Sequence, residues 1–288
     1  MNSAIFTLNI FNDLQSILQY DFMRHAFEAG TIIAIMAGII GYFIVIRKSS
    51  FAAHALSHIG FTGAAGAVLI GMTPLIGLLS FTIIAGIIIA VLGKKASTRD
   101  TQIGIVLAFM LGLGALFISL YSGYASEVYS LLFGEILGIS NSDVLITLIA
   151  GIVVIIATVI FYRPLLFYSL DEDVAEAKGV PVGMIGIIFM ILVAIATSMA
   201  VQAVGVLLIF ALMIIPSATA QRITKTPKNG ILVSMTISLL SVWVGLFASF
   251  YIPYPVSFFI TTETFSLYII VLLIQHFKNK RLVTILQK

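Results

Sequence analysis

His54 and His58 lie four residues apart in the run FAAHALSHIGFTGAAGAV. On a helix that spacing sets both imidazoles on one face, the usual arrangement for two ligands to one metal ion. If the run crosses a membrane, an ionisable side chain there is costly and marks function by default. The plainer reading is two helix-end histidines bonded to neighbouring carbonyls, and spacing alone leaves both open. A zinc protease is disfavoured, because HExxH needs a glutamate after the first histidine and Ala55 stands there. The following Gly60, Gly63, Ala64, Ala65, Gly66 and Ala67 offer a small-residue face that suits a close helix or a passing ion.

Other polar side chains are scattered. Asp21, His25 and Glu28 fall at helical spacing and would form an acidic vestibule for cations, or simply a solvated rim. Glu135 sits in a long polar stretch that also carries Glu127, and Glu263 lies deep in an apolar run. Both are candidates for a pathway. Gln202 reads as a turn residue. Gly93-Lys94-Lys95 lacks the earlier glycine and the following Ser or Thr of a phosphate loop, so the chain carries no nucleotide-binding signature. DEDVAEAKGVPV reads as a short polar helix with Asp171 and Asp173 at its positive start, Glu176 and Lys178 on its surface and Gly179 as its stop. Pro181 then turns the chain into the next apolar run.

The elements that hold these residues follow from composition. Of 288 residues, 60% are hydrophobic and only 9% are charged, whereas a soluble domain needs roughly a quarter charged. The expected fold is an all-α, polytopic membrane protein. The net charge of +3 points to basic inner loops rather than nucleic acid. With no cysteine, neither a disulfide framework nor a thiolate metal site is possible.

Apolar length predicts about nine spans, near residues 22–46, 54–72, 75–92, 104–121, 144–162, 183–201, 204–220, 230–251 and 256–276. Eight result if Gln202 does not mark a turn. With nine, Arg47 and Lys48, then Lys94, Lys95 and Arg99, then Arg163 and Lys178, then Arg222, Lys225 and Lys228, and finally the tail fall on one face. The positive-inside rule makes that face cytoplasmic, with the amino terminus outside and the carboxyl terminus inside. Residues 1–21 form an interfacial segment, 22–276 the transmembrane domain with a cytoplasmic helix near 170–180, and 277–288 a cytoplasmic tail.

Four stretches carry a family resemblance: GIIGYFIVIRKSSFAAHALSHIGFTGAAGA, LLFGEILGIS, SLDEDVAEAKGVPV and VQAVGVLLIFALMIIPSATAQR. In this order they resemble the permease family of bacterial ABC importers for zinc, manganese and iron. The resemblance implies a vitamin B12-permease-like (type II importer) fold in the bacterial cytoplasmic membrane, reduced by the first of ten helices. It implies a dimer of two copies with cytosolic ATPase subunits and an extracytoplasmic metal-binding protein. It also implies that Asp171, Asp173, Glu176, Lys178 and Gly179 belong to an ATPase-coupling helix. No enzymatic activity and no permanently bound cofactor are expected.

One departure stands out. The family usually has Gly-Asp before Ala-Leu-Ser-His, whereas Ala53 and His54 are here. His58 carries over as a ligand, and His54 takes the other ligand position with a different donor. Exchanging a carboxylate for an imidazole moves preference from Mn²⁺ towards Zn²⁺, so zinc leads and manganese or iron follow. An ATP-independent transporter and an intramembrane enzyme are the competing classes. The enzyme would need a carboxylate beside the pair, and none is adjacent in sequence.

Overall fold

The computed structural model describes residues 10–92, 96–121, 132–206 and 209–286. Lys94, Lys95 and Glu127, with the start of the interfacial segment, lie outside the described residues. The helices are α1 Ile10–Ile17, α2 Asp21–Ile46, α3 Ser50–Leu69, α4 Pro74–Leu92, α5 Ala96–Leu120, α6 Asn141–Ile160, α7 Tyr162–Leu170, α8 Glu172–Ala177, α9 Val182–Val204, α10 Ile215–Ile223, α11 Pro227–Tyr251 and α12 Val256–Leu286. A 3₁₀ turn, Ile136–Gly138, precedes α6 and a π turn, Phe210–Ile214, precedes α10. The described residues contain no strand, as expected where backbone groups must be satisfied without water.

Seven described helices are long and apolar enough to cross a membrane: α2, α4, α5, α6, α9, α11 and α12. The expectation of nine also counted α3 and the stretch that ends in α10. The two histidines and many small residues of α3 dilute its hydropathy, and α10 has only 9 residues.

Burial sorts the helices by place. In α2 and α9, 72% of the apolar window is buried inside the chain, against 11% for α5. These two are the axis of the bundle, and α5 is its rind. Small residues let the inner helices touch. A Cβ on Gly63 of α3 would strike the Gly77 carbonyl oxygen of α4, so the glycine-rich face after the histidines serves helix packing. Buried hydroxyls tie the bundle across helices, Thr82 to Ser198 at 2.7 Å and Ser217 to Ser234 at 2.8 Å.

The chain breaks after α9 at Gly205, whose φ of +81° closes the helix. Gln202 is therefore not the turn residue that its polarity suggested. It lies inside α9 one turn before the break, and its backbone carbonyl accepts from Glu135 N–H at 3.3 Å. Pro216 has no N–H to return to the Leu212 carbonyl one turn earlier. Ser238 Oγ of α11 donates to that carbonyl at 3.2 Å instead, which accounts for an irregular turn held in a buried place.

Candidate metal-translocation site

α3 begins directly after Lys48, a non-glycine residue at φ +58° that reverses the chain out of α2. The first turns of α3 then carry His54 and His58 on one face, each half-buried. Their ring centroids are 4.6 Å apart and the rings stand edge to face at 88°. Phe210, from the π turn, lies against His54 with centroids 5.2 Å apart. Nδ1 of His54 is buried with no hydrogen-bond partner. An imidazole nitrogen without a protein partner is free to take a proton, a water or a cation. The plainer reading, histidines bonded to helix-end carbonyls, does not describe His54. The hydrogen bond at this point of the helix is made by its backbone, whose carbonyl accepts from Ser57 Oγ at 2.7 Å, and the ring Nδ1 takes no part in it.

Among the described residues, no group of three or more His, Cys, Asp or Glu side chains is placed to hold a metal ion. One chain thus offers two donors here, short of the four that tetrahedral zinc takes.

The other sequence candidates stand apart from the pair. Asp21 is exposed and ion-paired with Arg24 at 2.9 Å. His25 is half-buried and Glu28 exposed on the same helix. Glu135 lines a cavity of about 340 Å³ with Thr73, Asp143 and Gln202. Asp143 is held there in a capping box with Ser140. Glu263 sits in α12 with Oε2 buried and unpartnered, and Ser241 of α11 reaches its carboxyl group.

The short polar helix forms as expected. Asp171 caps α8 by accepting from Val174 N–H at 3.0 Å, and Gly179 ends it at φ +76°. Asp173 and Glu176 are exposed, and the Lys178 ammonium lies 4.4 Å from the Phe167 ring centroid. Sequence reasoning used Arg47 only as a marker of topology, and the structure gives it a larger part. Its guanidinium donates to the Tyr168 carbonyl at 2.7 Å, pairs with Glu172 at 2.9 Å and stacks 3.5 Å above the Tyr168 ring. An arginine ending a span, with an acidic run elsewhere on the same face, was the signal available.

The manganese transport system membrane protein MntC of Listeria monocytogenes is 34% identical over 238 residues, covering 82% of this chain and 85% of the relative. The high-affinity zinc uptake system membrane protein ZnuB of Haemophilus influenzae is 29% identical, covering 80% of this chain and 88% of the relative. PsaBC from Streptococcus pneumoniae, solved in complex with Fab, superposes with a TM-score of 0.81 at 30% identity, covering 91% of this chain and 95% of that one. An inward-facing metal-chelate type ABC transporter shares the fold alone, with a TM-score of 0.65 at 16% identity and coverage of 85% and 84%. The model of the ABC 3 transport family matches residues 19–275, from the entry into α2 to well into α12, and on that extent the chain belongs to the ABC 3 transport family.

Proposed function

We propose that this chain is the membrane-spanning subunit of an ATP-driven importer of divalent metal ions, with Zn²⁺ as its leading substrate. The observation that carries this reading is the His54–His58 pair, two imidazoles 4.6 Å apart with the Nδ1 of one unpartnered. The ion arrives from an extracytoplasmic binding protein, is held briefly by His54 and His58 and is released inward. Few ligands suit that task, since a complete coordination shell would trap the ion. The chain makes and breaks no bonds of its own, and a separate cytosolic ATPase supplies the energy through α8. Two copies across a shared axis would present four histidines, enough for a tetrahedral site.

Relatives named for manganese and for zinc resemble this chain comparably, so ancestry does not choose the metal. The donor set supports zinc: imidazole without carboxylate suits zinc better than manganese. Mn²⁺ is the second reading, supported by the 34% identity to the manganese-system protein. The basic loops support a cytoplasmic carboxyl terminus and an outer amino terminus.

The test is total cellular zinc and manganese by mass spectrometry in metal-limited cells lacking the gene. Wild type should restore zinc, and His58→Ala should not. His54→Asp should move the balance towards manganese. Wild type restoring manganese alone would replace zinc as the substrate, and no change in either metal in any strain would remove both the substrate and the ligand pair.

A further inference from the structure

A groove of about 440 Å³ opens between the end of α6 and the start of α11, and neither histidine of the pair lines it. Its floor includes Ile39 and Ile155, and its rim includes Val159 and Leu232, which are 70% and 60% exposed. Apolar side chains that open belong in hydrocarbon, so the groove faces the bilayer. One end is different in kind, because Lys228 and Tyr162 close it. The Tyr162 ring is fixed edge to face against Phe43, with centroids 6.3 Å apart. Lys228 is exposed and has no ion pair among the described residues. The neighbouring Lys225 and Arg163 are also exposed and also without a carboxylate partner among them. α2 and α6 end here and α11 begins here, so this is the end of the bundle that carries Arg47.

We propose that this groove holds one anionic phospholipid, with an acyl chain along Ile155, Val159 and Leu232 and the phosphate on Lys228 and the Tyr162 hydroxyl. Charge complementarity selects the occupant. A basic pocket between membrane helices on the cytoplasmic side suits an anionic headgroup, and a lysine stem lies along apolar surface while its ammonium reaches the interface. A second copy of the chain would have to bring a carboxylate to Lys228, since burying that ammonium unpaired is costly. The inner leaflet follows from the proposed orientation, but occupancy of the groove does not depend on it.

Native mass spectrometry of the full chain, purified in detergent, stripped of lipid and titrated with phosphatidylglycerol or phosphatidylethanolamine, tests this. Phosphatidylglycerol should be retained at one per chain under activation that removes phosphatidylethanolamine. Lys228→Gln should lower that retention about fivefold, the worth of one lysine near an anionic surface. Lys228→Arg should keep it, and Val159→Trp, which fills the groove, should release it. Equal retention of the two lipids, or full retention by Lys228→Gln, would overturn the proposal. So would disulfide cross-linking of Val159→Cys to Leu232→Cys between two copies in membranes, which would make the groove a self-interface. Metal uptake is not the readout, so failure here leaves the importer reading intact, and the converse also holds.

Discussion

The histidine pair and the polar helix α8 are built on opposite principles. His54 lies edge to face against both His58 and Phe210, and one buried nitrogen is left without a partner. α8 is tied down: capped by Asp171, closed by Gly179 and joined through Glu172 to Arg47, which also holds Tyr168 of α7. On the proposed reading, a site that accepts and releases a cation does well to be short of partners, because a satisfied polar group has nothing to gain from a ligand. On the same reading, a helix that transmits force from an ATPase to the rest of the chain cannot be left loose. Arg47 stands at the end of α2, the axis of the bundle, so any push on α8 arrives directly at the core.

The largest expected effect breaks one side of this contrast alone. His58→Ala should weaken metal binding at least about tenfold to a hundredfold. That is the loss typical of a metal's outer-shell partners, and it sets a floor for a ligand. Its melting temperature in detergent should barely move, since the half-buried ring is not among the large side chains that fill the core. A variant that melts early but still binds zinc would show a packing residue instead.

Arg47→Ala should do the reverse. It strands the Tyr168 carbonyl and the Glu172 carboxylate, and hydrogen bonds to a charged group are each worth roughly 1.5–3 kcal/mol. Because the Glu172 side chain is 43% exposed, water recovers part of that, and a net loss of about 2 kcal/mol is expected. Hydrogen exchange over 171–178 should rise, and metal affinity of the isolated chain should stay put. Unchanged protection there would mean that α8 is held by something other than Arg47.

Much of this was legible in the sequence, and the physical reason is the bilayer. Apolar length alone located the helices to within a few residues for α2, α4, α6 and α12's start. Asp171 and Gly179 set the limits of α8, and Pro181 the start of α9, because capping and left-handed backbone are local properties. What failed was also systematic. In the sequence Gln202 reads as a turn residue, yet the break falls at Gly205, where backbone from the loop around Gly134 presses in. Nothing local to Gln202 reveals that contact. The second role of Arg47 was hidden for the same reason, since its partners Tyr168 and Glu172 lie more than a hundred residues on. The π turn likewise depends on Ser238 reaching the carbonyl that Pro216 leaves open.

Gly179→Ala probes how firmly α8 must end. A Cβ at Gly179 would meet nothing within 4 Å, so the cost is conformational only. Holding an L-residue at φ +76° should cost about 1 kcal/mol. The expected readout is a modest rise in exchange at 175–179 with helix content unchanged. A loss as large as that of Arg47→Ala would mean that Gly179 touches a partner that the single chain does not contain.

Asp171 carries the smallest effect and the sharpest distinction. Asp171→Ala removes an N-cap and should cost about 1 kcal/mol, whereas Asn caps nearly as well as Asp. If Asp171 serves only to start α8, Asp171→Asn should match wild type both in exchange protection and in ATP-driven uptake. If its charge also meets a basic patch on the ATPase, Asp171→Asn should keep the helix and still lose coupling. The gap between the two should widen at low ionic strength, where the wild-type ion pair is least screened, and narrow at high. Equal protection with unequal uptake would therefore assign α8 an electrostatic contact beyond its own folding, and equality in both would reduce Asp171 to its cap.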